Sequence, residues 1–492
     1  ATNPAVSLPD AGLVRAAIDA CPFVVLSDCY RDTDTAAFAD VLLPATGWGE
    51  KDGTVTNSDR VISRQRALRP AHAEARADWA QMAAVGRALG HDDAFAWPNA
   101  AAVFREHAAL SGFENDGARL FDIAALADLS DADYADLAPT RWPLTRDGDG
   151  ASDSDGRLFA DRRFPTPNGR ARLSPLRQTA PAHATDDRYP LILNTGRYRD
   201  QWHTMTRTAL APQLNRHRAE PLIEIHPDDA AARGLKDDGF ADIATAWGAG
   251  RFKVRITPDQ TRGQVFAPMH WSGANSSGGG VGPLVNPAVD ALSGQPESKH
   301  TPCQLAAWSP ERRGYALTRR PMTPATGYWV RWGAPGDVQV YELAGDSAAF
   351  DDLAAQLDAA DAEHIDYADA AAGARREAWI VDGRLAAALY RSAGRTPNAR
   401  DRLIALFAQD ALSVEDRIEL IAGRAAKPGT APGPIVCACA GVGANMIAAA
   451  IDSGAATSVD CLGRQRNAGV TCGACRPELQ TRLDAARRDL AA

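Results

Sequence analysis

Apolar positions change their period several times along the chain, and each change predicts a change of architecture. Near the start, Leu13 to Ala20 has helical spacing, and Pro22-Phe23-Val24-Val25-Leu26 is a short apolar run ending at Ser27-Asp28. Such a run, bounded by turn residues and followed by a helical stretch, predicts a buried parallel strand. Asp40-Val41-Leu42-Leu43-Pro44 repeats the pattern and is stopped by proline. Asp78 to Leu89 is amphipathic and Gly90 follows it, the order of a helix and its C′ glycine. Short alanine-rich helical patterns fill 91–140. Residues 1–140 are therefore expected to form part of an α/β domain.

From 141 to 186 the pattern lapses into clustered Gly, Pro, Asp and Ser (RDGDGASDSDG, FPTPNGRARLSP). That composition predicts an extended linker, anchored by Phe159, Phe164 and Leu173. Between 187 and 310 the period becomes that of short strands. Tyr189 to Asn194 ends at Thr195-Gly196, and Leu222-Ile223-Glu224-Ile225 alternates before a short helix that starts at Pro227 and closes at Gly234. Further strands are expected at Phe240–Ala246, Arg251–Thr257 and Gln264–Pro268, a succession that predicts a β-barrel. Residues 325–425 offer a strand at Val338–Leu343, a hairpin at Asp382-Gly383 and helices over Arg400–Phe407 and Ser413–Ile421. This reads as an α+β connector without a titratable cluster, whose default role is packing or docking. A second linker, Lys427 to Pro434, leads to a small helical domain over 435–492, below the size at which a core alone is comfortable.

Composition narrows the function classes. Across 492 residues, 53 Lys+Arg stand against 62 Asp+Glu, a net charge of −9, with 45% hydrophobic and 23% charged residues. These are values of a soluble globular protein, and the acidic balance argues against a nucleic-acid or anionic-membrane binder. No apolar run approaches the roughly 20 residues of a spanning helix. Eight cysteines are too sparse for a disulfide scaffold. The chain opens ATNPAVSLPDAG, without Met or an apolar leader, and Thr2-Asn3-Pro4 has the look of a turn after a strand. The N-terminus is therefore expected to be a cut within a longer polypeptide.

Four of the cysteines crowd into the last domain as Cys437-Ala438-Cys439 and Cys472-Gly473-Ala474-Cys475. Four thiolates in two close pairs suit a zinc ion or an iron–sulfur cluster, and two redox-inert pairs are the bland alternative. Cys461 lies outside this pattern and reads as a packed thiol. Cys21, Cys29 and Cys303 read as buried small residues. Upstream, Thr195-Gly196-Arg197-Tyr198-Arg199-Asp200-Gln201-Trp202-His203-Thr204 is an unusual turn. Its glycine lets backbone N–H groups face an anion, Arg197 and Arg199 offer bidentate contacts, and Trp202 offers a ring for stacking. An ordinary polar turn is the alternative.

The segment IVCACAGVGANMIAAAIDSGAATSVDCLGRQRNAGVTCGAC resembles the bacterioferritin-associated ferredoxin family. That resemblance implies a 2Fe-2S cluster on Cys437, Cys439, Cys472 and Cys475. Residues 1–310 resemble the C-terminal part of molybdopterin oxidoreductases with a molybdenum bis(molybdopterin guanine dinucleotide) cofactor. The match is carried by DTAAFADVLLPATGWGEKDGTVTNSDR, NTGRYRDQWHT, HPDDAAARGL and VFAPMHW. Within that family the likeness is to bacterial nitrate reductases, and the appended ferredoxin-like domain points to the cytoplasmic assimilatory type.

The resemblance implies that Ser27 and Asp28 bind a guanine or ribose, Lys51 a phosphate or pterin, and Asp78 the second nucleotide. Thr195, Gly196, Arg197, Trp202, His203 and Thr204 would wrap a pterin and its pyrophosphate, with Met269 and Asn286 lining the cofactor. Gln304 stands where some relatives carry a lysine, for which Lys299 is a candidate substitute. The N-terminal cysteine motif of a 4Fe-4S cluster and a molybdenum-ligating cysteine are not visible, so no catalytic residue is assigned and the 4Fe-4S cluster is expected in a preceding part. The expected whole is a multidomain α/β plus β-barrel protein in which nitrate is reduced to nitrite. Electrons would enter at the 2Fe-2S cluster from a flavoprotein, ferredoxin or flavodoxin. A formate dehydrogenase-like enzyme, or a non-catalytic four-cysteine electron-transfer or zinc-binding protein, are the alternatives.

Overall fold

The computed structural model describes residues 3–148, 157–175, 178–278, 280–394, 396, 398–423 and 432–491. The chain divides into two compact units, one of residues 23–32 and 39–180, the other of residues 3–22, 33–38 and 181–491. Parts of both expected linkers, 149–156 and 427–431, lie outside the described residues. Among the described residues, no helix is long and apolar enough to cross a membrane.

In the first unit, Val25–Asp28 pairs in parallel with Val41–Pro44, as the two apolar runs predict. Burial does not follow. These strands form a sheet of two, and Val25, Val41 and Leu42 are exposed. A parallel pair buries its faces only when layers cover both sides, and among the described residues Leu26 and Leu43 of this pair are no more than half-buried. A three-stranded antiparallel sheet (Gly53–Thr56, Val61–Gln65, Thr140–Arg141) packs with helix Ala100–Gly112 around Ile62, Phe104, Ala108 and Ile123. Helix Asp78–Ala88 runs to Gly90, which has the positive φ its place requires. In the linker Phe159 and Phe164 stack at 4.4 Å, whereas Leu173 is exposed and anchors nothing.

The second unit begins differently from its reading as a turn: Asn3 precedes a one-turn helix, Pro4–Ser7, with proline at its first position. Six strands then close a barrel in the order Gln264–Pro268, Leu191–Gly196, Thr301–Trp308, Phe240–Ala244, Ala249–Ile256, Leu222–Ile225. Inward residues alternate along each strand, and Leu191, Leu193, Ile223, Ile225, Val254, Val265 and Cys303 form the core. Residues 312–392 form an antiparallel sheet of six strands, with Asp382 and Gly383 both at positive φ in the tight hairpin. Helix Ser347–Leu357 covers one face through Phe350 and Leu353, and helices Arg400–Phe407 and Val414–Ala422 cover the other.

The connector does contain a titratable cluster. Glu220 accepts hydrogen bonds from Lys253 at 3.1 Å and from Tyr328 at 2.9 Å, and Arg400 grips Glu342 bidentately. Burial works against the Lys253 charge, but Glu220, Glu342 and Asp238 hold its pKa above the ordinary lysine value. Elsewhere in the same sheet, buried Glu377 lies 3.2 Å from Arg375 and 3.6 Å from Arg391. Glu220, Lys253, Tyr328, Glu342 and Arg400 come from segments far apart in sequence, so no local spacing reveals them, whereas Glu377 and its two arginines belong to one hairpin. A cavity of about 650 Å³ opens beside Lys253 and Arg400, but each of these cations faces a carboxylate and presents no uncompensated charge to a ligand.

The last domain pairs Ile435–Cys437 with Val442–Gly443 and packs helices Ala444–Asp452, Val459–Arg466 and Arg476–Ala491 around Val436, Leu462, Leu479 and Leu483. The middle helix lies in the stretch between the two cysteine pairs. Replacing the fully buried Phe350 by Ala is expected to destabilise the connector sheet by about 3–5 kcal/mol. Leu292→Ala, at a fully exposed position, is expected to stay within about 0.5 kcal/mol. Urea unfolding of the two variants measures both.

Candidate functional site

Three of the candidate residues in the first unit come together. The Asp78 carboxylate accepts a hydrogen bond from Ser27 Oγ at 3.0 Å and pairs with Lys51 Nζ at 2.8 Å. Ser27 ends a strand, Lys51 follows the one-turn helix Trp48–Glu50, and Asp78 opens helix Asp78–Ala88. Burial pushes the Asp78 carboxyl up, but the Lys51 and Ser27 hydrogen bonds and the Lys51 charge outweigh it and hold its pKa below the ordinary value. Asp28 accepts from the Tyr30 backbone N–H at 3.0 Å, which leaves its second oxygen for another donor. Asp78 thus stands with Ser27 and Lys51 in one hydrogen-bonded group. Cys21 and Cys29 are exposed, contrary to expectation, each with its thiol directed to a backbone carbonyl.

In the second unit the barrel strand Leu191–Gly196 delivers the turn Thr195–Thr204. Thr195 Oγ1 donates to the Ser298 carbonyl at 2.7 Å, and Lys299 Nζ donates to the Thr195 carbonyl. Gln304 is exposed on the next strand, so Lys299 is the lysine that reaches this turn. A Cβ at Gly196 would come within 2.8 Å of the Phe266 ring, so close strand packing demands glycine there. The turn ends in three successive non-glycine residues in the left-handed region, His203, Thr204 and Met205, at φ 50°, 50° and 59°. Each costs about 1–2 kcal/mol relative to ordinary backbone. Thr204 holds them, accepting at Oγ1 from Asn3 at 3.1 Å and donating its N–H to His270 Nδ1 at 3.4 Å.

Thr195, Thr204, Met269 and His270 line one small cavity of about 90 Å³, with Val6 to Pro9 on its other side. That volume suits a few waters and not a nucleotide. Arg197 and His203 are exposed and Trp202 is half-buried, so this part of the turn faces outward. Asn286 differs: it is wholly buried, donating from Nδ2 to the His300 carbonyl at 2.9 Å and accepting at Oδ1 from the Ala288 N–H at 2.9 Å. Its place is inside the loop that carries Lys299.

Sequence reasoning missed His270, which adjoins the quoted Met269, and Trp271. Burial, with His203 and Arg197 nearby, depresses the His270 pKa to about 4. A neutral imidazole is what the Thr204 N–H requires of Nδ1. Among the described residues, Gln201 Oε1, Thr208 Oγ1 and Trp271 Nε1 are buried without hydrogen-bond partners. Each such orphan costs about 1–3 kcal/mol unless something supplies its partner. Of the three, Trp271 lines the small cavity together with Thr195 and Thr204, so an acceptor placed there would satisfy its indole N–H.

The four clustered cysteines gather as two cross-pairs. Cys439 and Cys472 sulfurs are 3.5 Å apart at the surface, and buried Cys475 adjoins buried Cys437. Gly473, at φ 72°, turns the chain between Cys472 and Cys475. Burial and the Cys437 neighbour push the Cys475 thiol up to about 12, and burial with Cys472 raises Cys439. Crowded thiols resist ionising without a cation, so this donor set suits a metal centre held by four thiolates. Among the described residues, however, no three His, Cys, Asp or Glu already converge as metal ligands. Cys461 packs only partly against the core, and hydrogen bonds from Ser458 and Thr457, with Arg464 beside it, bring its thiol down to about 7.

Known protein families match the segments that carry these residues. The molydopterin dinucleotide binding domain matches residues 191–302, the molybdopterin oxidoreductase family residues 1–88, and the BFD-like 2Fe-2S binding domain residues 435–485. The chain carries molybdopterin-oxidoreductase domains and a BFD-like 2Fe-2S domain. It is 40% identical to a nitrate reductase of Klebsiella oxytoca over 98% of this chain and 55% of that protein. A nitrate reductase of Shewanella frigidimarina is 36% identical over 62% of this chain and 34% of its own length. An F420-dependent formate dehydrogenase subunit alpha of Methanocaldococcus jannaschii is 32% identical over 60% and 41%. The chain spans about half the length, or less, of these relatives.

Between pH 4 and 6.5 an unfolded histidine takes up a proton that folded His270 refuses. Stability is therefore expected to fall as pH drops from about 6.5 to 4. His270→Gln should flatten that slope in urea midpoints measured across the range; an unchanged slope would place the proton uptake elsewhere.

Proposed function

We propose that this chain supplies cofactor-binding and electron-accepting domains of a cytoplasmic, assimilatory nitrate reductase. One observation carries the reading: a single alignment, to the Klebsiella oxytoca nitrate reductase, runs over 485 residues and through all three matched domains. The formate dehydrogenase alternative rests on a relative that covers 60% of the chain, which weighs less.

In this reading Ser27, Asp28, Lys51 and Asp78 hold a guanine nucleotide. The Lys51–Asp78 pair places one cation and one acceptor side by side, matching a phosphate and a guanine edge. Thr195, Gly196, Arg197, Trp202, His203 and Thr204 hold a pterin and its pyrophosphate, with Met269 beside them and neutral His270 fixing the Thr204 backbone. Asn286 acts from within its loop by positioning Lys299. When bound, the molybdenum bis(molybdopterin guanine dinucleotide) supplies the chemistry that turns nitrate, two electrons and two protons into nitrite and water. Cys437, Cys439, Cys472 and Cys475 hold the 2Fe-2S cluster at which a flavoprotein, ferredoxin or flavodoxin delivers electrons. A 4Fe-4S cluster and the molybdenum ligand belong to parts of the enzyme outside this chain.

The 2Fe-2S centre gives a direct test. The purified chain is expected to be brown and to develop an EPR signal on reduction, and Cys437→Ser or Cys472→Ser should abolish both. A colourless protein containing zinc, or unchanged absorption in both variants, would defeat the assignment. Nitrite production driven by reduced methyl viologen in the enzyme that contains this chain, set against formate oxidation, decides the substrate.

A further inference from the structure

Arg199 lies in the turn Thr195–Thr204, yet its guanidinium points to the cysteine domain. Nη2 donates to the Val436 carbonyl at 2.7 Å, and Nη1 reaches Glu478 at 3.3 Å. Val436 immediately precedes Cys437, and Glu478 sits in the first turn of the helix that follows Cys475. The arginine is held from behind by Asp200 at 3.2 Å, and His217 Nδ1 lies 2.8 Å from that same carboxylate. Arg199 is four-fifths buried, and the Val436 it contacts is buried as well. One side chain of the dinucleotide-binding barrel therefore bonds next to both inner thiols, Cys437 and Cys475.

We propose that Arg199 is a positioning residue of the 2Fe-2S centre, fastening that domain to the pterin-binding turn and holding the cluster's reduction potential up. The proposal deepens the functional reading and rests on its assignment of the four cysteines to the cluster. A cluster held by four thiolates is negative, and reduction adds one more electron to it. A poorly hydrated guanidinium beside two of its ligands eases that addition, and its hydrogen bond to the Val436 carbonyl draws charge away from Cys437. Lysine preserves the charge but not the fork that bridges Val436 and Glu478. Glu478 has the opposite electrostatic effect across the same contact.

The test uses the full chain loaded with its cluster, titrated with mediator dyes that each pass one electron, and read by EPR. Arg199→Met should lower the potential, cutting the reduced-to-oxidised ratio at fixed poise about tenfold, or about 59 mV for one electron. Glu478→Gln should raise it, and Arg199→Lys should stay near the parent. Limited proteolysis should release the 435–492 fragment severalfold faster from Arg199→Met and from Glu478→Gln. Loosening alone would admit water to the cluster in both variants and move their potentials the same way. Opposite shifts with cluster content intact support the proposal. Shifts of the same sign, or a parental potential and parental protease resistance in Arg199→Met, overturn it. Should Arg199→Met fail to load its cluster, Glu478→Gln and Arg199→Lys decide between the same outcomes. A parent chain without any EPR signal defeats the cluster assignment itself, a failure distinct from that of the Arg199 role.

Discussion

The left-handed run at His203, Thr204 and Met205 is the constraint on which the second unit's site depends. An extended or helical backbone there would carry Thr204 away from Asn3 and His270 and bury different atoms. The strain is sustained because the turn is fixed at both ends. Barrel closure holds Thr195 and Gly196, and Met205 is buried with Tyr198, Phe240 and Trp271. Backbone strain retained by surrounding packing is a common mark of ligand-holding segments. Here it leaves one stretch of turn facing outward, with Arg199 directed to the cluster domain.

A second constraint joins barrel to connector. Tyr328 and Glu342 on the sheet meet Glu220 and Lys253 on the barrel side, with Arg400 completing the group. Buried ions of this kind contribute little net stability against an apolar alternative, but losing one partner costs about 3–5 kcal/mol. Their effect is to make one arrangement of the two elements much better than its neighbours. The cluster domain, whose helices pack a small core, is oriented in turn by Arg199.

Much of this was legible in the residues themselves. Alternation at Leu222–Ile225, proline-led helix starts, glycines after helices and the Asp382-Gly383 hairpin each act locally, so period and turn chemistry suffice to find them. The cysteine pairs were legible because the two cysteines within each pair are close in sequence. The misreadings share a cause. Val41 and Leu42 have the composition of a buried strand but are exposed. Asn286 resembles a ligand-facing amide until its loop folds over it. The Glu220–Lys253–Tyr328 group draws on residues about a hundred positions apart, which no window connects.

The sequence by itself determined many of the elements, the barrel and the two close pairs of cysteines, because short-range sterics and residue type are enough for these. Only the tertiary structure decided that Asp78 joins Ser27 and Lys51, that His270 stays neutral behind Thr204, and that Arg199 leaves its own turn to reach Val436 and Glu478. Each of those outcomes depends on what burial brings within about 3 Å, and on which charges it deprives of water. Distance in space, not spacing along the chain, sets both.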